Sequence, residues 1–552
     1  MKPFELLSHA VRAKEILTVI ARHGFADLLG QIDLPAGIWQ RFVPQPGPPR
    51  TLYERIRLAA EQLGPAFVKL GQFLSMRPDV LPHPLILELR KLQDQVTPRP
   101  FEELRSVLVE DLGCRLEEVF SEFDETPIAS ASLAQVYFAR LRSDGRAVAI
   151  KVQKPGIRRI LETDLDLASW LAGQLHQHIT ALRPYDLPAV LAEASRGVQR
   201  ELDFGNEARN QEYFNTLNPH PDRVFAPRVI HELSTGRVLV MERVNGHPVR
   251  ETTPVPSEQL HTLAIHGAES LIRQVLIAGF FHADPHSGNV FVTDDGRLSF
   301  LDWGLAGHLT RRYRYALADF WVAAVEHDAE RIVQIAADLA PPDARPDLRT
   351  MEKEVTLTLR EDLNFDLGRP QLGRAMLKLL FIFGRQGIHL SRDYCLMAKA
   401  VLAIEEVGRT LDPQFDLRAH TRSVLREVYR ERHSPRTILR RTQELLRNSL
   451  TGLHELPAEL HRLVRRLEHD NLTVNLQHHG LQEIDEAMRV AANRIALGVV
   501  IGSLIIGSSL IITTGIEPSI LGYPALGLFG YLISAMLGFY VIWDIIRHGR
   551  HK

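Results

Sequence analysis

The C-terminal part of the chain contains two long runs that carry no charged side chain. The first run extends from Ile495 to Ile516 and the second from Ile520 to Trp543. Each run reaches the roughly 20 residues that an α-helix needs to cross a hydrocarbon core of about 30 Å. Between them, Glu517-Pro518-Ser519 predicts a helix-breaking connection. These runs predict a transmembrane hairpin over residues 495–546, with a buried hairpin of a soluble protein as the alternative.

Basic residues flank the predicted hairpin on both sides. Arg489 and Arg494 precede the first run, and Arg547, Arg550 and Lys552 follow the second. By the positive-inside rule, both ends of the hairpin are expected in the cytoplasm. Small residues four positions apart also favour close packing of the two helices. They are Gly498 and Gly502 in the first run and Gly530, Ser534 and Gly538 in the second.

The rest of the chain has the composition of ordinary globular domains. The 552 residues are 45% hydrophobic and 24% charged, enough for several domain-sized cores. The formal net charge of −2 offers no positive excess for neutralising phosphates, so nucleic acid is not an expected partner. The two cysteines, Cys114 and Cys395, are far apart, which indicates a reducing compartment and excludes a disulfide framework.

Residue patterns divide the polar part of the chain into five segments. The N-terminus predicts an amphipathic helix that packs on its own domain, followed by a proline-rich linker. Helical spacing follows, then short strands around the Asp144-Gly145 turn with one inserted helix, and then a mostly helical region. This order predicts an α+β, protein-kinase-like two-lobe domain with an N-terminal helical extension. The predicted boundaries are 1–50 for helix and linker, 51–125 for the extension, 126–245 for the N-lobe, 246–430 for the C-lobe and 431–494 for a charged helical linker.

Lys151 ends an apolar run, Val148-Ala-Ile-Lys, that reads as a β-strand. A lysine in such a strand is costly to desolvate unless an anion or an acid lies opposite. In kinases this lysine pairs with nucleotide phosphates and with a helix glutamate. An edge-strand lysine with its head in water is the alternative. Acidic partners are available downstream, because Asp203 and Glu207 are expected one turn apart on one helix face.

The segment from His282 to Asn289 has the Asp-x-x-x-x-Asn spacing of a kinase catalytic loop, with Asp284 and Asn289 at its ends. In such a loop the aspartate orients or deprotonates the nucleophile and the asparagine binds Mg²⁺. Asp302 follows an apolar strand and precedes Trp303-Gly304, the position of the metal-binding aspartate in kinases. His282 and His286 are interpreted as hydrogen-bonding histidines rather than metal ligands.

The loop before the lysine strand is rich in alanine, where a kinase has a Gly-x-Gly-x-x-Gly loop. Alanine has fewer accessible backbone angles than glycine, so this loop is expected to flex less over phosphates. The sequence after Asp302 contains no Ala-Pro-Glu. Both departures argue against binding of protein substrates in the ordinary kinase groove.

Together with the Lys69-Leu-Gly-Gln72 and Glu201-Leu-Asp203 segments, these motifs resemble those of the UbiB family of atypical kinase-like proteins. The resemblance spans residues 50 to 310 and implies binding of ATP and Mg²⁺ and support of ubiquinone biosynthesis. It also implies a bacterial inner-membrane location with the kinase-like domain cytoplasmic. The implied partners are a membrane lipid such as a quinone precursor and the ubiquinone-biosynthesis enzymes. By the same comparison, Glu207 is the partner of Lys151.

The predicted site divides by role. Asp284 and Lys151 are the catalytic residues, and Asn289 and Asp302 are the metal ligands. The Lys-x-Gly-Gln helices are expected to cover the cleft, with Lys69 and Gln72 linked to Glu201 and Asp203. The predicted nucleotide-binding residues are Ala129, Ser130, Ala131, Ser132, Leu133, Ala134, Gln135, Val136, Tyr137, Lys151, Glu207, Glu242 and Val244.

Lys69 also has a plain structural interpretation, as a lysine extending from a packed helix face towards water. Phe73, Leu74 and Met76 beside it are predicted to be core residues rather than a lipid-binding stripe. Two other functions stay open from the residues alone. One is a non-catalytic nucleotide-binding scaffold for a membrane-associated complex. The other is a metal-dependent hydrolase built on His282, Asp284 and His286, which leaves Lys151 and Asp302 unexplained.

Overall fold

The computed structural model describes most of the chain as two compact units, residues 1–440 and 441–552, which we treat separately. The described residues are 3–25, 50–77, 81–92, 97–250, 257–341, 344–363, 371–388, 390–434, 481–514, 516–520 and 523–548. The proline-rich linker and most of the charged linker predicted at 431–494 lie outside the described residues.

Six helices precede or border the small sheet of the first unit. Their bounds are α1 Pro3–Ile20, α2 Leu52–Leu63, α3 Pro65–Leu74, α4 His83–Leu89, α5 Phe101–Leu112 and α6 Leu116–Val119. Thr51 and Glu54 form a capping box that starts α2. Gly64, at φ +98°, and Pro65 then separate α2 from α3.

Helix α1 packs against its own unit, as the sequence predicts. Ile16 and Val19 are buried against Ala59 and Leu63 of α2. Arg12 forms an ion pair with the buried Asp164, with 2.7 Å between Nε and Oδ1. The apolar face and the ion pair together hold this helix to the kinase-like region.

The small sheet has the strand order β1-β3-β4-β6, all antiparallel, with β2 paired to β3. Gly145, at φ +73°, makes the predicted turn between β3 and β4. The helical extension predicted over residues 51–125 is wrong near its end, because Phe120, Glu122 and Phe123 pair with β3 and tertiary pairing overrides their helical spacing. The strands are β1 Phe120–Phe123, β2 Ala129–Ser130, β3 Ala134–Leu141, β4 Ala147–Gln153 and β6 Val238–Glu242.

Three helices, rather than the predicted single one, lie between β4 and β6. They are α7 Ile157–His178, α8 Leu187–Glu201 and α9 Phe204–Leu217. The chain breaks between α8 and α9 because the Asp203 carboxylate caps α9, accepting from the Gly205 N–H at 3.0 Å. Asp203 and Glu207 therefore do not share a helix face, which corrects the prediction. Before β6, Val229 makes an isolated antiparallel bridge to Met241.

The larger lobe surrounds a second small sheet of order β5-β10-β9-β7 and a β8–β11 pair. Strands β9 and β10 pair antiparallel within this mostly helical lobe. The strands are β5 Val224–Phe225, β7 Gly246–Pro248, β8 Phe280–His282, β9 Val290–Thr293, β10 Leu298–Phe300 and β11 Ala306–His308. The helices are α10 Ser257–Arg273, α11 Arg311–Val325, α12 Ala329–Leu339, α13 Leu348–Asp362, α14 Leu372–Arg385, α15 Arg392–Leu411 and α16 Leu417–Arg432.

The second unit contains two helices, α17 Leu481–Thr514 and α18 Ala525–His548, joined through the short strands β12 Ser519–Ile520 and β13 Tyr523–Pro524. By length and composition, residues 492–514 and 525–543 are long and apolar enough to cross a membrane.

Small residues bring these two helices together at only some of the predicted positions. A Cβ added at Gly530 would lie 2.0 Å from Ser508 Oγ, and Ser534 is buried. Gly498, Gly502 and Gly538 have no neighbouring described atom within 4 Å of an added Cβ, so the two helices pack together without a close approach at these three positions. The close approach occurs near the connection instead, where Gly527 faces Ile512 and Ser508.

The crossing of α3 and α8 depends on Gly197, because a Cβ there would lie 2.2 Å from the Phe73 ring. We expect Gly197→Ala to destabilise the protein by about 1–3 kcal/mol through overpacking. Gly173→Ala on α7 is the matched control, since an added Cβ meets nothing within 4 Å and helix propensity alone favours alanine. Thermal unfolding of both variants tests this expectation, which equal melting temperatures would contradict.

Candidate active site

Strand β4 directs Lys151 into the cleft between the lobes. Its neighbours Ile150 and Val152 are fully buried on the opposite face of the sheet, as strand alternation requires. The Lys151 Nζ lies 2.8 Å from Glu207 Oε2 and 3.3 Å from Asp302 Oδ1. Three segments distant in sequence, β4, α9 and the loop after β10, therefore meet at one ammonium group.

These three charges shift one another's pKa values. Burial lowers the pKa of Lys151, but the charges of Asp302 and Glu207 outweigh it and raise the pKa above its ordinary value. Burial raises the pKa of Glu207 to about 7, although Lys151 opposes this shift. The Lys151 charge lowers the pKa of Asp302, against the opposing effect of burial and with help from Lys69. Asp302 is therefore the ionised acid at neutral pH.

The loop after β8 places Asp284 and Asn289 beside this cluster. The His282 ring bonds on both sides, with Nε2 2.8 Å from the Leu301 carbonyl and Nδ1 accepting from the Asp284 N–H at 3.1 Å. The Leu301 N–H donates to the Asn289 carbonyl at 2.8 Å. These bonds attach the loop to the strand that leads into Asp302.

These bonds agree with the prediction from sequence that His282 is a hydrogen-bonding histidine rather than a metal ligand. Burial lowers its pKa, and both ring nitrogens are already bonded to protein groups. His286 accepts from the Gly288 N–H at 3.0 Å through Nδ1. With His282 fully engaged, the described geometry leaves no ligand set for the hydrolase built on His282, Asp284 and His286.

Asp302 adopts a left-handed backbone conformation at φ +54°. Such a conformation is uncommon outside glycine, and aspartate and asparagine tolerate it best. The next residue, Trp303, is fully buried and stacks on Phe214 and Phe280 at centroid distances of 4.6 and 5.8 Å. Its carbonyl accepts from Asn210 Nδ2 at 2.9 Å, so α9 is joined both to Trp303 and to Lys151.

A cavity of about 480 Å³ lies between the small sheet and the larger lobe. Lys151, Glu207, Asn289 and Asp302 line it together. The other predicted nucleotide-binding residues that line it are Ala129, Ala131, Leu133, Ala134, Val136, Glu242 and Val244.

Gln135 and Tyr137 were also predicted to bind the nucleotide, and their side chains face away from this cavity. Because side chains alternate along β3, these two residues lie on the opposite face of the sheet. Gln135 Nε2 donates to the Tyr137 hydroxyl at 2.7 Å, and its Oε1 accepts from the Arg99 N–H at 2.7 Å. Ser130 and Ser132 are also absent from the described lining of this cavity.

A second cavity of about 510 Å³ lies on the other side of Asp302. The two cavities share Lys69, Glu201, Asn289 and Asp302. Asp284 and His286 line only the second one. Its walls combine apolar and charged side chains from α3, α4, α14 and α15, among them Phe73, Met76, Leu89, Arg90, Leu377, Lys399 and Leu402.

Helix α3 forms one wall of the second cavity. Lys69 is buried and forms an ion pair with Glu201, while Gln72 Nε2 donates to the Leu92 carbonyl at 3.2 Å. Phe73 and Met76 are buried and Leu74 packs against the core, as predicted. Asp203 was also expected to contact helix α3. Its carboxylate instead caps α9 and lies 3.7 Å from the Arg209 guanidinium, and no contact with α3 is among its described interactions.

Lys399 is a residue that the sequence reasoning missed. Its Nζ lies 2.9 Å from Asp284 Oδ2, although α15 begins more than 100 residues after the Asp284 loop. Nothing in its own surroundings distinguishes it from the many charged helix residues of this region. Only the folding of α15 against the loop reveals the contact.

The residues present fit a Mg-nucleotide. Asp302, whose side chain is 51% exposed, and Asn289 offer carboxylate and amide oxygens, the ligands that Mg²⁺ prefers. Lys151 supplies a positive charge in the same cavity.

Comparison with known proteins gives the same assignment. Residues 91–336 match the ABC1 atypical kinase-like domain, and residues 479–547 match the ABC1/UbiB kinase-like C-terminal domain. The chain is 31% identical over 534 residues to "Probable protein kinase UbiB" of Xanthomonas campestris pv. campestris strain B100, covering 92% of this chain and 94% of that one. An uncharacterised protein of Clostridium pasteurianum, from the 5' region of hydrogenase 1, is 29% identical over 98% of this chain and 99% of its own.

A solved structure of Rv3197 with erythromycin, from Mycobacterium tuberculosis, aligns with a TM-score of 0.46 at 24% identity. The alignment covers 64% of this chain and 90% of the Rv3197 chain. The motifs, the two-lobe fold and the sequence relatives agree: the chain belongs to the ABC1/UbiB family of atypical kinase-like proteins.

Proposed function

We propose that this chain is a membrane-anchored ATPase or atypical kinase that uses Mg-ATP and supports ubiquinone biosynthesis. The observation that carries the proposal is the meeting of Lys151, Glu207 and Asp302 in a cleft that Asp284 and Asn289 also line. Perturbed acids and a buried lysine converging on a cavity are typical of catalytic sites. The link to ubiquinone is what membership of the family implies, and the relatives named UbiB support that membership.

In this mechanism each residue of the cleft has one task. Lys151, aligned by Glu207, contacts the phosphates, and the alanine-rich loop covers them. Asp302 and Asn289 hold Mg²⁺, which when bound neutralises negative charge on the phosphate oxygens. Asp284 receives the proton of a water molecule or an acceptor hydroxyl and aligns its oxygen for in-line attack.

The second cavity supports a small or lipid-like acceptor rather than a polypeptide. Helix α3 forms one of its walls, and α4 contributes Leu89 to the same lining. Apolar side chains such as Leu377 and Leu402 suit a hydrophobic body, while Asp284 and Lys399 suit a polar head. A quinone precursor with a phenolic head group has this chemistry.

The first test is Mg-dependent phosphate release from ATP, with and without liposomes that carry a phenolic quinone-precursor mimic. We expect release that rises with lipid and falls at least about a hundredfold in Asp302→Asn, the order seen when a group that stabilises the transition state is lost. Asp294→Asn, an exposed carboxylate between β9 and β10, is the matched control and should behave as wild type. Nucleotide binding without any release would contradict the ATPase and favour a non-catalytic scaffold.

The raised pKa of Glu207 predicts how stability depends on pH. In the unfolded chain the pKa of a glutamate is about 4.3, whereas in the folded protein burial raises the pKa of Glu207 to about 7. Between these values the folded state binds more protons than the unfolded state. Stability due to this group is therefore lost as pH rises, by at most about 1.4 kcal/mol per pH unit. Between pH 5 and 7.5, the melting temperature of the wild-type protein should decrease more with rising pH than that of Glu207→Gln. Parallel plots of melting temperature against pH for the two proteins would contradict this expectation.

The anchor is tested by membrane extraction. The helices α17 and α18 should keep the full chain in carbonate-washed membranes, because side chains such as Ile506 and Phe539 are exposed in the unit described. A chain ending at residue 490 should be released, and its retention would contradict the proposal.

The orientation of the hairpin is tested by fusions to the C-terminus. A fluorescent protein fused after Lys552 should fluoresce, and alkaline phosphatase fused at the same position should stay inactive, because basic flanks favour cytoplasmic ends.

A further inference from the structure

Helix α15 presents one face to the second cavity. The residues on that face follow helical spacing and are Cys395, Lys399, Leu402, Ala403 and Glu406. This helix lies beyond residue 336, where the match to the kinase-like domain ends. Among the ion pairs described, one joins helix α15 to the predicted catalytic loop, and it is formed by Lys399 and Asp284.

The ion pair of Lys399 and Asp284 contributes little to stability. The two side chains are 37% and 31% exposed, and water screens the attraction between partly exposed charges. Fixing a long lysine side chain also costs conformational entropy, which offsets the remaining attraction. The position of the pair, in the cavity that Asn289 and Asp302 also line, is therefore its distinguishing property.

The backbone that carries Lys399 is held rigidly. Ala398 and Ala400 on either side of it are fully buried, and Val401 and Ile404 are buried in the same core. A side chain on a packed helix is placed more accurately than one on a loop. Asp284, by contrast, lies in a loop, so a contact from α15 limits the orientations of its carboxylate.

We propose that Lys399 is a positioning residue for phosphoryl transfer. Its ammonium engages Oδ2 of Asp284 and so orients the carboxylate towards the incoming hydroxyl. This inference rests on the proposed function. In the step itself, the acceptor or water O–H gives its proton to Asp284 and its oxygen bonds to the γ-phosphorus. The bond from that phosphorus to the bridging oxygen breaks, and ADP leaves with the electron pair.

The test compares steady-state phosphate release by wild type, Lys399→Met, Lys399→Arg, Asp284→Asn and the Asp284→Asn/Lys399→Met double variant. We expect Lys399→Met to lower kcat roughly 10- to 100-fold, the range for general acid–base assistance, with the KM for ATP within about twofold. Lys399→Arg should recover part of the loss, because it keeps the charge. In the Asp284→Asn background, Lys399→Met should change the residual rate little, since residues that act as a unit are not additive.

Lys378→Met is the matched control, because Lys378 is a similarly exposed lysine of the same lobe that pairs with Asp362 away from both cavities. Its kcat should equal that of wild type, and melting temperatures confirm that each variant is folded. Three results would overturn the inference while leaving the proposed function intact: unchanged kcat in Lys399→Met, increased kcat in that variant, or full additivity with Asp284→Asn. A wild-type protein that releases no phosphate overturns the proposed function and this inference together.

Discussion

The architecture of the site depends on one ammonium group placed between two carboxylates. Lys151 would be costly to bury alone, and Glu207 and Asp302 make its position tolerable. To supply both partners, the fold must bring α9 against β4 and the end of β10 against both. Lys69 adds a second positive charge near Asp302, but it is already paired with Glu201, and burial raises the pKa of Glu207 to about 7 against the opposing charge of Lys151. The cleft therefore suits an additional cation, which accords with a Mg-nucleotide.

The kinase-like segment and the segments outside it build different halves of the cleft. The cavity beside Lys151 is lined by residues between 128 and 302, apart from Lys69. Most of the residues that line the second cavity lie before residue 91 or after residue 336, outside the matched region, and they are on or next to α3, α4, α14 and α15. The kinase-like segment thus builds the cavity that we propose for the nucleotide, whereas the additional helices line the approach to Asp284.

Sequence patterns predicted the parts of the molecule that local chemistry determines. Strand alternation located β3 and β4, and the Asp-x-x-x-x-Asn spacing located the loop that lines the cleft. Contacts between distant segments were not accessible in this way. The pairing of β1 with β3 overrides helical spacing, and the cap at Asp203 divides what reads as one helix. Lys399 meets Asp284 only through the packing of α15, for which the sequence around it carries no signal.

The left-handed backbone at Asp302 restricts which side chains the position can accept during evolution. At φ +54°, a β-branched or bulky residue would strain the main chain whatever its charge. Glutamate, although it keeps the carboxylate, lacks the short side chain that makes aspartate and asparagine tolerant of this region. Relatives that lack the metal site proposed here would therefore be expected to carry asparagine or glycine at this position. Such a relative could keep the fold intact, so fold similarity alone would not reveal the difference.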